Sequence, residues 1–515
     1  MSEAVKPAAQ TDRARFLLNV IWGWGGVAVN MAVAFILSPI IVRKLGVERY
    51  GVWILLFSTM DYLRMLDFGF RAAVVNGCAR FRACEDWEGV NRTVSPAMLY
   101  FLTIGVVSCV AAILLRDLAL TFFNIPAGLQ VESRTLIVII AISVSLRLIL
   151  APLTATLEGF QRFDLVNRAY ISALLFRSIG SLVVLVLGYG LVEMGYVLLV
   201  GQIGENAMTI AGVKRVFPSF HVSPSLVQRE AMLSLFRYGR YSALMGVASL
   251  VTIQVPTTVL GYFHGPAAIA FFNLPFRLLM YSTEAFAKVA DVTSSVTAGV
   301  EAKREIVWRI AVVTNRHCFT LFMPAAIFLW MFGSELLTVW YSPQVGGNSG
   351  PLLPVLVFAF LFAVAGQYNA GAVLIGQGRH ALYAYGMVVE VIASAALLFV
   401  FVPRYGPLGA AWVVMATVVA IRCIFLSILM CRLNKFPWLK YISAIYTAPL
   451  MASLPVLPAA AALRAFVWPG RNWFELIAAG AVISLIYFGT AFFSVLEPGH
   501  RADLLGRVRR LGLLP

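Results

Sequence analysis

Apolar runs of about 20 residues recur along the whole chain, and short, mostly basic loops separate them. A run of this length is what an α-helix needs to cross about 30 Å of hydrocarbon. Because no interval between the runs is long enough for a water-soluble domain, we predict an all-α, polytopic membrane protein. The composition agrees with this fold class: 60% of the residues are hydrophobic and 12% are charged, against about half and about a quarter in soluble domains.

The apolar runs predict about fourteen transmembrane helices. The first run is too long, and too interrupted by glycine, to be a cleaved signal peptide. The predicted spans are residues 16–42, 50–70, 93–115, 134–156, 166–188, 192–213, 238–261, 267–298, 308–340, 352–376, 381–402, 408–431, 441–467 and 473–496.

The basic residues are distributed unevenly between the two sides of the membrane. The formal net charge is +16, and most of the Lys and Arg residues fall in loops on the same side as the two termini. This positive-inside pattern predicts that both termini are cytoplasmic. The basic residues are spread over many loops instead of forming a binding module, so nucleic acid is not an expected partner.

The two parts of the chain repeat at a constant offset. Pro39 and Pro256 are 217 residues apart (256 − 39), and so are Arg215 and Arg432 (432 − 215). The offset covers six spans, which predicts two pseudo-symmetric six-helix lobes in parallel orientation, followed by two extra helices. The predicted domains are an N-lobe at 1–213, a cytoplasmic linker at 214–237, a C-lobe at 238–432, and spans thirteen and fourteen with a basic amphipathic tail at 433–515.

Five segments carry a recognisable pattern. They are residues 39–76 (PIIVRKLGVERYGVWILLFSTMDYLRMLDFGFRAAVVN), 157–167 (LEGFQRFDLVN), 271–279 (FFNLPFRLL), 374–384 (LIGQGRHALYA) and 402–412 (VPRYGPLGAAW). These segments resemble bacterial polysaccharide flippases of the O-antigen (Wzx-like) type. The resemblance implies the multidrug/oligosaccharidyl-lipid/polysaccharide exporter fold in the bacterial inner membrane. It also implies translocation of a polyprenyl-pyrophosphate-linked oligosaccharide to the periplasmic leaflet, for surface polysaccharide or lipopolysaccharide biosynthesis.

Charged residues inside the predicted spans indicate where a cargo chamber lies, because such groups normally face a cavity or a partner. In span eight, Arg277, Glu284 and Lys288 recur at helical spacing on one face. We predict that this face lines a water-filled chamber. The alternative is a cytoplasmic extension of the helix that carries solvated charges.

Spans one and two add further polar positions. One side of span two carries four charged residues, which indicates either a second chamber wall or an internally neutralised structural cluster. They are Asp61, Arg64, Asp67 and Arg71. Asn30 shares one side of span one with glycines, and this pattern fits contact with cargo or close helix packing.

The sign of the charges favours an anionic cargo. Guanidinium groups bind phosphate through a planar fork and keep their charge at physiological pH. We therefore predict that Arg64, Arg240 and Arg277 receive the pyrophosphate head group in a cationic central cavity that opens alternately to either side. A cation-coupled multidrug exporter of the same fold is an alternative, for which acidic and aromatic walls are expected. A membrane-embedded glycosyltransferase or polymerase is a second alternative, for which an acidic pair near a large external loop is expected. The first external loop is short, and the external loop at 341–351 contains no carboxylate.

The repeat also predicts two ion pairs within the spans. Glu205 corresponds to Arg422 by the same offset (422 − 205 = 217), while Arg177 lies near the depth of Glu390. Since an unpaired charge is disfavoured there, we predict the pairs Arg177–Glu205 and Glu390–Arg422 with their signs exchanged between the lobes. A structural role is the favoured interpretation, and a coupling-ion role for either glutamate is the alternative.

The sequence predicts a transporter without a cofactor. It contains no nucleotide-binding loop, no metalloprotease motif and no zinc-type spacing of Cys and His. The expected partners are a lipid-linked oligosaccharide and the bilayer, and polysaccharide polymerase and glycosyltransferases are candidate protein partners. We expect a monomer.

Overall fold

The computed structural model of the chain describes residues 29–223, 226–227, 232–233, 253–281, 304–367, 369–377 and 380–495. All regular secondary structure in these ranges is helical, which confirms the predicted all-α fold class. The chain forms two compact units, Met1–Ala270 and Phe271–Pro515. The lobe and linker boundaries given above stay predictions.

The N-terminal unit consists of packed helices joined by short turns. Helix α8 packs along α9, α4 packs along α6, and α6 also contacts α9. A short 3-10 segment separates α2 from α3. The helices are α1 (29–45), α2 (Val47–Asp61), α3 (Phe70–Ala83), α4 (Trp87–Leu114), α5 (Arg116–Phe122), α6 (Ala127–Ile149), α7 (Ala151–Gly159), α8 (Phe163–Val186) and α9 (Leu191–Val216).

Helices α3 and α7 approach each other closely at Gly159. A Cβ atom added there would lie 2.7 Å from the carbonyl oxygen of Val75 and 2.8 Å from Cβ of Cys78. Only a residue without a side chain permits this contact between backbones. Gly159 belongs to one of the segments that resemble the flippases, so part of that pattern reflects helix packing.

The helical segment 253–281, α10, contains a turn at Gly265, whose φ is 73°. The division between the two units falls within this segment. Its first part packs against α2: Gln254 Oε1 accepts a hydrogen bond from Ser58 at 2.5 Å, and the hydroxyls of Tyr62 and Thr258 are 2.9 Å apart.

The C-terminal unit contains several interrupted helices. Gly406 (φ 54°) interrupts α15, and α12 meets the following helix at a bend of 54°. Two π-helices, Val419–Phe425 and Leu463–Val467, follow α15 and α18. The helices are α11 (Arg304–Trp340), α12 (Pro343–Ser349), α13 (Leu352–Gln367), α14 (Asn369–Gly376), α15 (His380–Val418), α16 (Leu426–Leu433), α17 (Trp438–Ser453), α18 (Val456–Ala462) and α19 (Trp473–Ser494).

The last two predicted spans pack against α11. Asn315 of α11 donates a hydrogen bond to the hydroxyl of Tyr441 at 2.8 Å, and both side chains are buried. The rings of Phe319 and Tyr446 meet edge to face at 4.7 Å. Helix α19 also contacts α11. These contacts make α17 and α19 integral parts of the C-terminal unit.

Seven helical stretches of the described residues are long and apolar enough to cross a membrane, or eight if the bent pair α12–α13 forms one span. The stretch Leu382–Leu433 covers two predicted spans, because its helix continues past the break at Gly406. The multi-pass prediction is confirmed, while the count of about fourteen stays a prediction.

The segment that follows α9 is docked on the N-terminal unit. Phe217 is 1% exposed and packs within 5.9 Å of the ring of Phe160. The buried amide of Asn91 donates to the carbonyl of Ser219 at 3.3 Å, and its oxygen accepts from the backbone N–H of His221 at 3.3 Å. The first residues of the predicted interlobe linker are therefore held in place.

Replacing Asn91 by alanine should release this segment. The carbonyl of Ser219 and the N–H of His221 each lose a hydrogen bond to the buried Asn91 side chain, and the free energy of unfolding should fall by about 1–3 kcal/mol. Thermal melting of the purified protein and the rate of proteolysis after residue 219 measure the change. Asn348→Ala, at an exposed position of α12, is the control; equal melting and proteolysis of the two variants would contradict the docking role of Asn91.

Candidate functional site

A cavity of about 840 Å³ lies within the N-terminal unit, lined by residues of α3, α6, α7, α8 and α9 and of the break after α2. At this break the 3-10 segment Tyr62–Asp67 is followed by Phe68 (φ 44°) and Gly69 (φ 74°), both in the left-handed region. Non-helical backbone at membrane depth is tolerated where it lines a water-filled cavity or is buried in protein. Phe68 and Gly69 both line this cavity, so the interruption of span two lies where non-helical backbone is tolerated.

Charged side chains form part of the cavity wall. Arg71 Nη2 lies 2.5 Å from Glu158 Oε1, and the backbone N–H of Arg71 donates to Asp67 Oδ1 at 2.9 Å. Asp61 Oδ2 accepts a hydrogen bond from Gln254 Nε2 at 3.0 Å. Among the described lining residues, carboxylates outnumber guanidiniums. The carboxylates are Asp61, Asp67, Glu158 and Glu205, and the guanidiniums are Arg71 and Arg147.

Arg147 differs from the other charged residues of the cavity. It lies in the last turn of α6 and is exposed. Whereas Arg71 is paired with Glu158, no carboxylate of the described residues pairs with the Arg147 guanidinium. A charge-assisted donor of this kind can bind an anionic ligand without first breaking an ion pair.

Uncharged polar side chains form the rest of the polar wall. Asn76 and Asn167 make no side-chain hydrogen bond with any other described residue, and neither is buried. Each carboxamide therefore keeps two donors and an acceptor available. The uncharged polar lining residues are Asn76, Thr154, Asn167, Tyr170, Gln202, Asn206 and Thr209.

The structure brings Arg177 and Glu205 together beside this cavity. Arg177 Nη1 lies 3.1 Å from Glu205 Oε2 and 3.3 Å from Gln202 Oε1. Gln202 in turn donates to Asn206 Oδ1 at 3.1 Å, and Asn206 donates to the carbonyl of Leu146 at 3.2 Å. This network joins α6, α8 and α9 and orients the cavity-facing amides.

Glu390 and Arg422 form a more deeply buried pair in the C-terminal unit. Glu390 is 0% exposed, and it accepts hydrogen bonds from Arg422 Nη2 at 2.7 Å and from Arg422 Nε at 2.9 and 3.0 Å. Arg422 lies in the π-helix Val419–Phe425. A Cβ atom added at Gly366 would overlap the carbonyl oxygen of Arg422, so α13 touches the π-helix directly.

The other residues predicted for the cargo chamber are only partly described. Asn30 is half-buried in α1, Asp61 ends α2 at the cavity, and Arg277 is exposed in α10. Their roles toward a cargo stay predictions. The predicted residues that lie outside the described part of the structure are the side chain of Arg64 and all of Arg240, Glu284 and Lys288.

Sequence reasoning missed two charged residues of the cavity. Arg147 lies inside a predicted span without an assigned role, and Glu158 lies within one of the flippase-like segments. The charge of Arg147 was an available signal, because an ionisable residue inside a span indicates a functional position, whereas Glu158 lies just beyond the predicted span 134–156. Within the described ranges, no group of three or more His, Cys, Asp or Glu residues could hold a metal ion.

Comparisons with known proteins show similarity over most of the chain. A family model described as "Polysaccharide biosynthesis protein" matches residues 16–292. The "Putative O-antigen transporter" of Shigella flexneri is 20% identical over 406 residues, which cover 76% of this chain and 92% of that protein.

Two solved structures show the fold. The lipid II flippase MurJ in an inward closed conformation aligns with a TM-score of 0.71 at 14% identity, covering 93% of this chain and 100% of that one. An inward-facing multidrug resistance MATE family transporter of the MOP superfamily aligns with a TM-score of 0.63 at 15% identity, covering 81% and 95%. These likenesses confirm the exporter fold that the sequence resemblance implied.

These proteins are transporters and flippases, not enzymes. The glycosyltransferase or polymerase alternative is therefore set aside, and the activity class is transport across a membrane. The family model covers more than half of the chain. Together with the helical fold and the polar cavity, this match shows that the chain belongs to the polysaccharide biosynthesis protein family.

Proposed function

We propose that the chain moves a polyprenyl-pyrophosphate-linked oligosaccharide from the cytoplasmic to the periplasmic leaflet of the bacterial inner membrane, for surface polysaccharide biosynthesis. The observation that carries this proposal is a cavity lined by many polar and charged side chains inside a chain of the polysaccharide biosynthesis protein family. Moving a glycan and a pyrophosphate through bare hydrocarbon is prohibitive. A polar cavity removes that barrier, and the polyprenyl tail stays in the lipid.

The pyrophosphate requires cationic groups on this route. Arg147 supports the proposal because it lines the cavity and carries a guanidinium that no described carboxylate neutralises. We propose that Arg147 takes part in head-group binding, while the roles of Arg64, Arg240 and Arg277 toward the head group stay predictions from the sequence. In this mechanism the cavity opens alternately to the two sides of the membrane, as in other transporters built from repeats.

The remaining expectations belong to this proposal as well. Both termini are cytoplasmic, the chain acts as a monomer, and polysaccharide polymerase and glycosyltransferases are its candidate partners. Cross-linking of the protein in intact membranes tests the monomeric state and the candidate protein partners.

Depletion of the protein in its own cells is the direct test. Lipid-linked oligosaccharides should accumulate at least about tenfold and should remain inaccessible to a glycan-modifying enzyme added to the periplasm. Spheroplasts and inverted vesicles, treated with the same enzyme, distinguish the two leaflets. Normal surface polysaccharide and an unchanged lipid-linked pool after depletion would refute the proposed function.

A cation-coupled multidrug exporter is the second candidate, and one observation favours it. Carboxylates outnumber guanidiniums among the described lining residues of the cavity, as expected for a site that binds organic cations. Expression in an exporter-deficient strain tests this function. Increased resistance to tetraphenylphosphonium that is lost when Asp61 or Glu205 is replaced would support export of cations. Resistance equal to that of the strain without the protein would exclude these cations as cargo.

A further inference from the structure

We infer that the cavity of the N-terminal unit binds the sugar part of the cargo, through uncharged amide and hydroxyl groups. This inference rests on the proposed function and assigns the two chemically different parts of the head group to different side chains. A glycan presents many hydroxyls that both donate and accept hydrogen bonds. A pyrophosphate only accepts hydrogen bonds and requires positive charge.

The charges of the cavity disfavour a pyrophosphate in its interior. Arg71 is already paired with Glu158, so it offers little net charge to a ligand. The described lining residues include four carboxylates and two guanidiniums, so the described wall offers a pyrophosphate little net positive charge. Arg147 is the remaining guanidinium among the described lining residues. We therefore place the phosphate next to Arg147 and the sugars deeper along the polar wall.

The same contacts disfavour a cation. Asp61 accepts a hydrogen bond from Gln254, while Glu158 and Glu205 pair with Arg71 and Arg177. A bare metal ion needs several oxygen ligands gathered at one point, and the described residues contain no such group. The carboxylates of the cavity wall thus serve mainly as partners for other protein groups.

The amides have the chemistry and the positions that a sugar requires. Asn76 of α3 and Asn167 of α8 face the cavity from two helices, and both have free hydrogen-bonding capacity within the described structure. Gln202 and Asn206 of α9 are held by the Arg177 network, so they need little reorganisation on binding. Tyr170 adds a ring and a hydroxyl. The volume of about 840 Å³ lies within the range of small-molecule sites.

Binding of free glycan by the full-length protein tests the inference. The probe is the neutral glycan released by mild acid and phosphatase from the total lipid-linked pool of the source cells, added at up to about 20 mM. Its affinity is measured from the rise in melting temperature of the detergent-solubilised protein. The double variant Asn76→Ala/Asn167→Ala should bind the glycan about tenfold more weakly, because it loses two hydrogen-bonding groups.

Two controls assign the effect to the cavity. Asn348→Ala, in the other unit, should bind the glycan like the unmodified protein, and the double variant should keep its melting temperature without ligand. Sodium pyrophosphate should still bind the double variant but should bind Arg147→Ala more weakly, with sodium chloride at equal sodium concentration as the reference.

Two results would overturn the inference: glycan binding that the double variant retains, or no glycan binding at the highest concentration. The assay requires no transport. Glycan binding with an unchanged lipid-linked pool in depleted cells would therefore refute the proposed function alone. Accumulation without cavity-dependent glycan binding would refute only this inference.

Discussion

Replacing Glu390 by alanine is expected to lower the free energy of unfolding by about 3 kcal/mol, the lower end of the range for breaking a buried ion pair. Glu390 is fully buried and holds Arg422 through both carboxylate oxygens. Its removal leaves a buried guanidinium, which cannot lose its charge. The melting temperature of the purified protein should fall by about 6–12 °C, the scale expected for a unit of this size.

The partner variant should be less damaging. Arg422→Ala leaves a buried carboxylate, which can take up a proton and become neutral. Reversing both charges, Glu390→Arg with Arg422→Glu, should restore much of the stability that either single reversal removes. Arg404→Ala is the control, because Arg404 is an exposed arginine of the same unit. Equal melting of Glu390→Ala and Arg404→Ala would show that the pair does not stabilise the fold.

The corresponding pair in the N-terminal unit lies in a different environment. The side chains of Arg177 and Glu205 are 19% and 18% exposed, and Glu205 lines the cavity. The partial exposure of both side chains reduces the cost of separating the two charges. The Arg177–Glu205 pair can therefore orient the polar wall, while the Glu390–Arg422 pair mainly joins helices of the C-terminal unit.

The sequence could predict features that depend on spacing along the chain. A constant offset relates Glu205 to Arg422, and a charge inside a span has few partners within reach. These two constraints were enough to name the two pairs that the structure brings together. The fold class followed for a similar reason, because the length of an apolar run is fixed by the thickness of the bilayer.

The cavity could not be predicted in the same way. Whether a residue of a span faces lipid, protein or water depends on the rotation of its helix and on the neighbouring helices. Hydropathy does not record that rotation. The charge of Arg147 indicates a functional position, but nothing in the sequence places Arg147 and Asn167 at the same cavity. The sequence does not mark the break of span two at Phe68 either, because a residue other than glycine rarely adopts a positive φ such as the 44° of Phe68.

Replacing Arg147 by alanine is expected to reduce transport of the lipid-linked oligosaccharide by about 10- to 100-fold, the effect of losing a charge-assisted contact with a phosphate. Arg147 is exposed at the cavity and has no carboxylate partner among the described residues, so its removal should leave the stability nearly unchanged. Transport is measured in depleted cells that carry the variant, as the amount of lipid-linked oligosaccharide that reaches the periplasmic leaflet. The melting temperature of the purified variant measures folding.

Arg147→Lys separates the charge of this residue from its geometry. Lysine keeps the positive charge but lacks the planar fork that binds two phosphate oxygens at once. Transport by Arg147→Lys should therefore lie between those of the unmodified protein and Arg147→Ala, whereas Arg404→Ala should transport normally. A structural role of Arg147 would lower the melting temperature and transport together. Normal transport by a stable Arg147→Ala variant would instead place the phosphate at other guanidiniums and remove Arg147 from the route of the cargo.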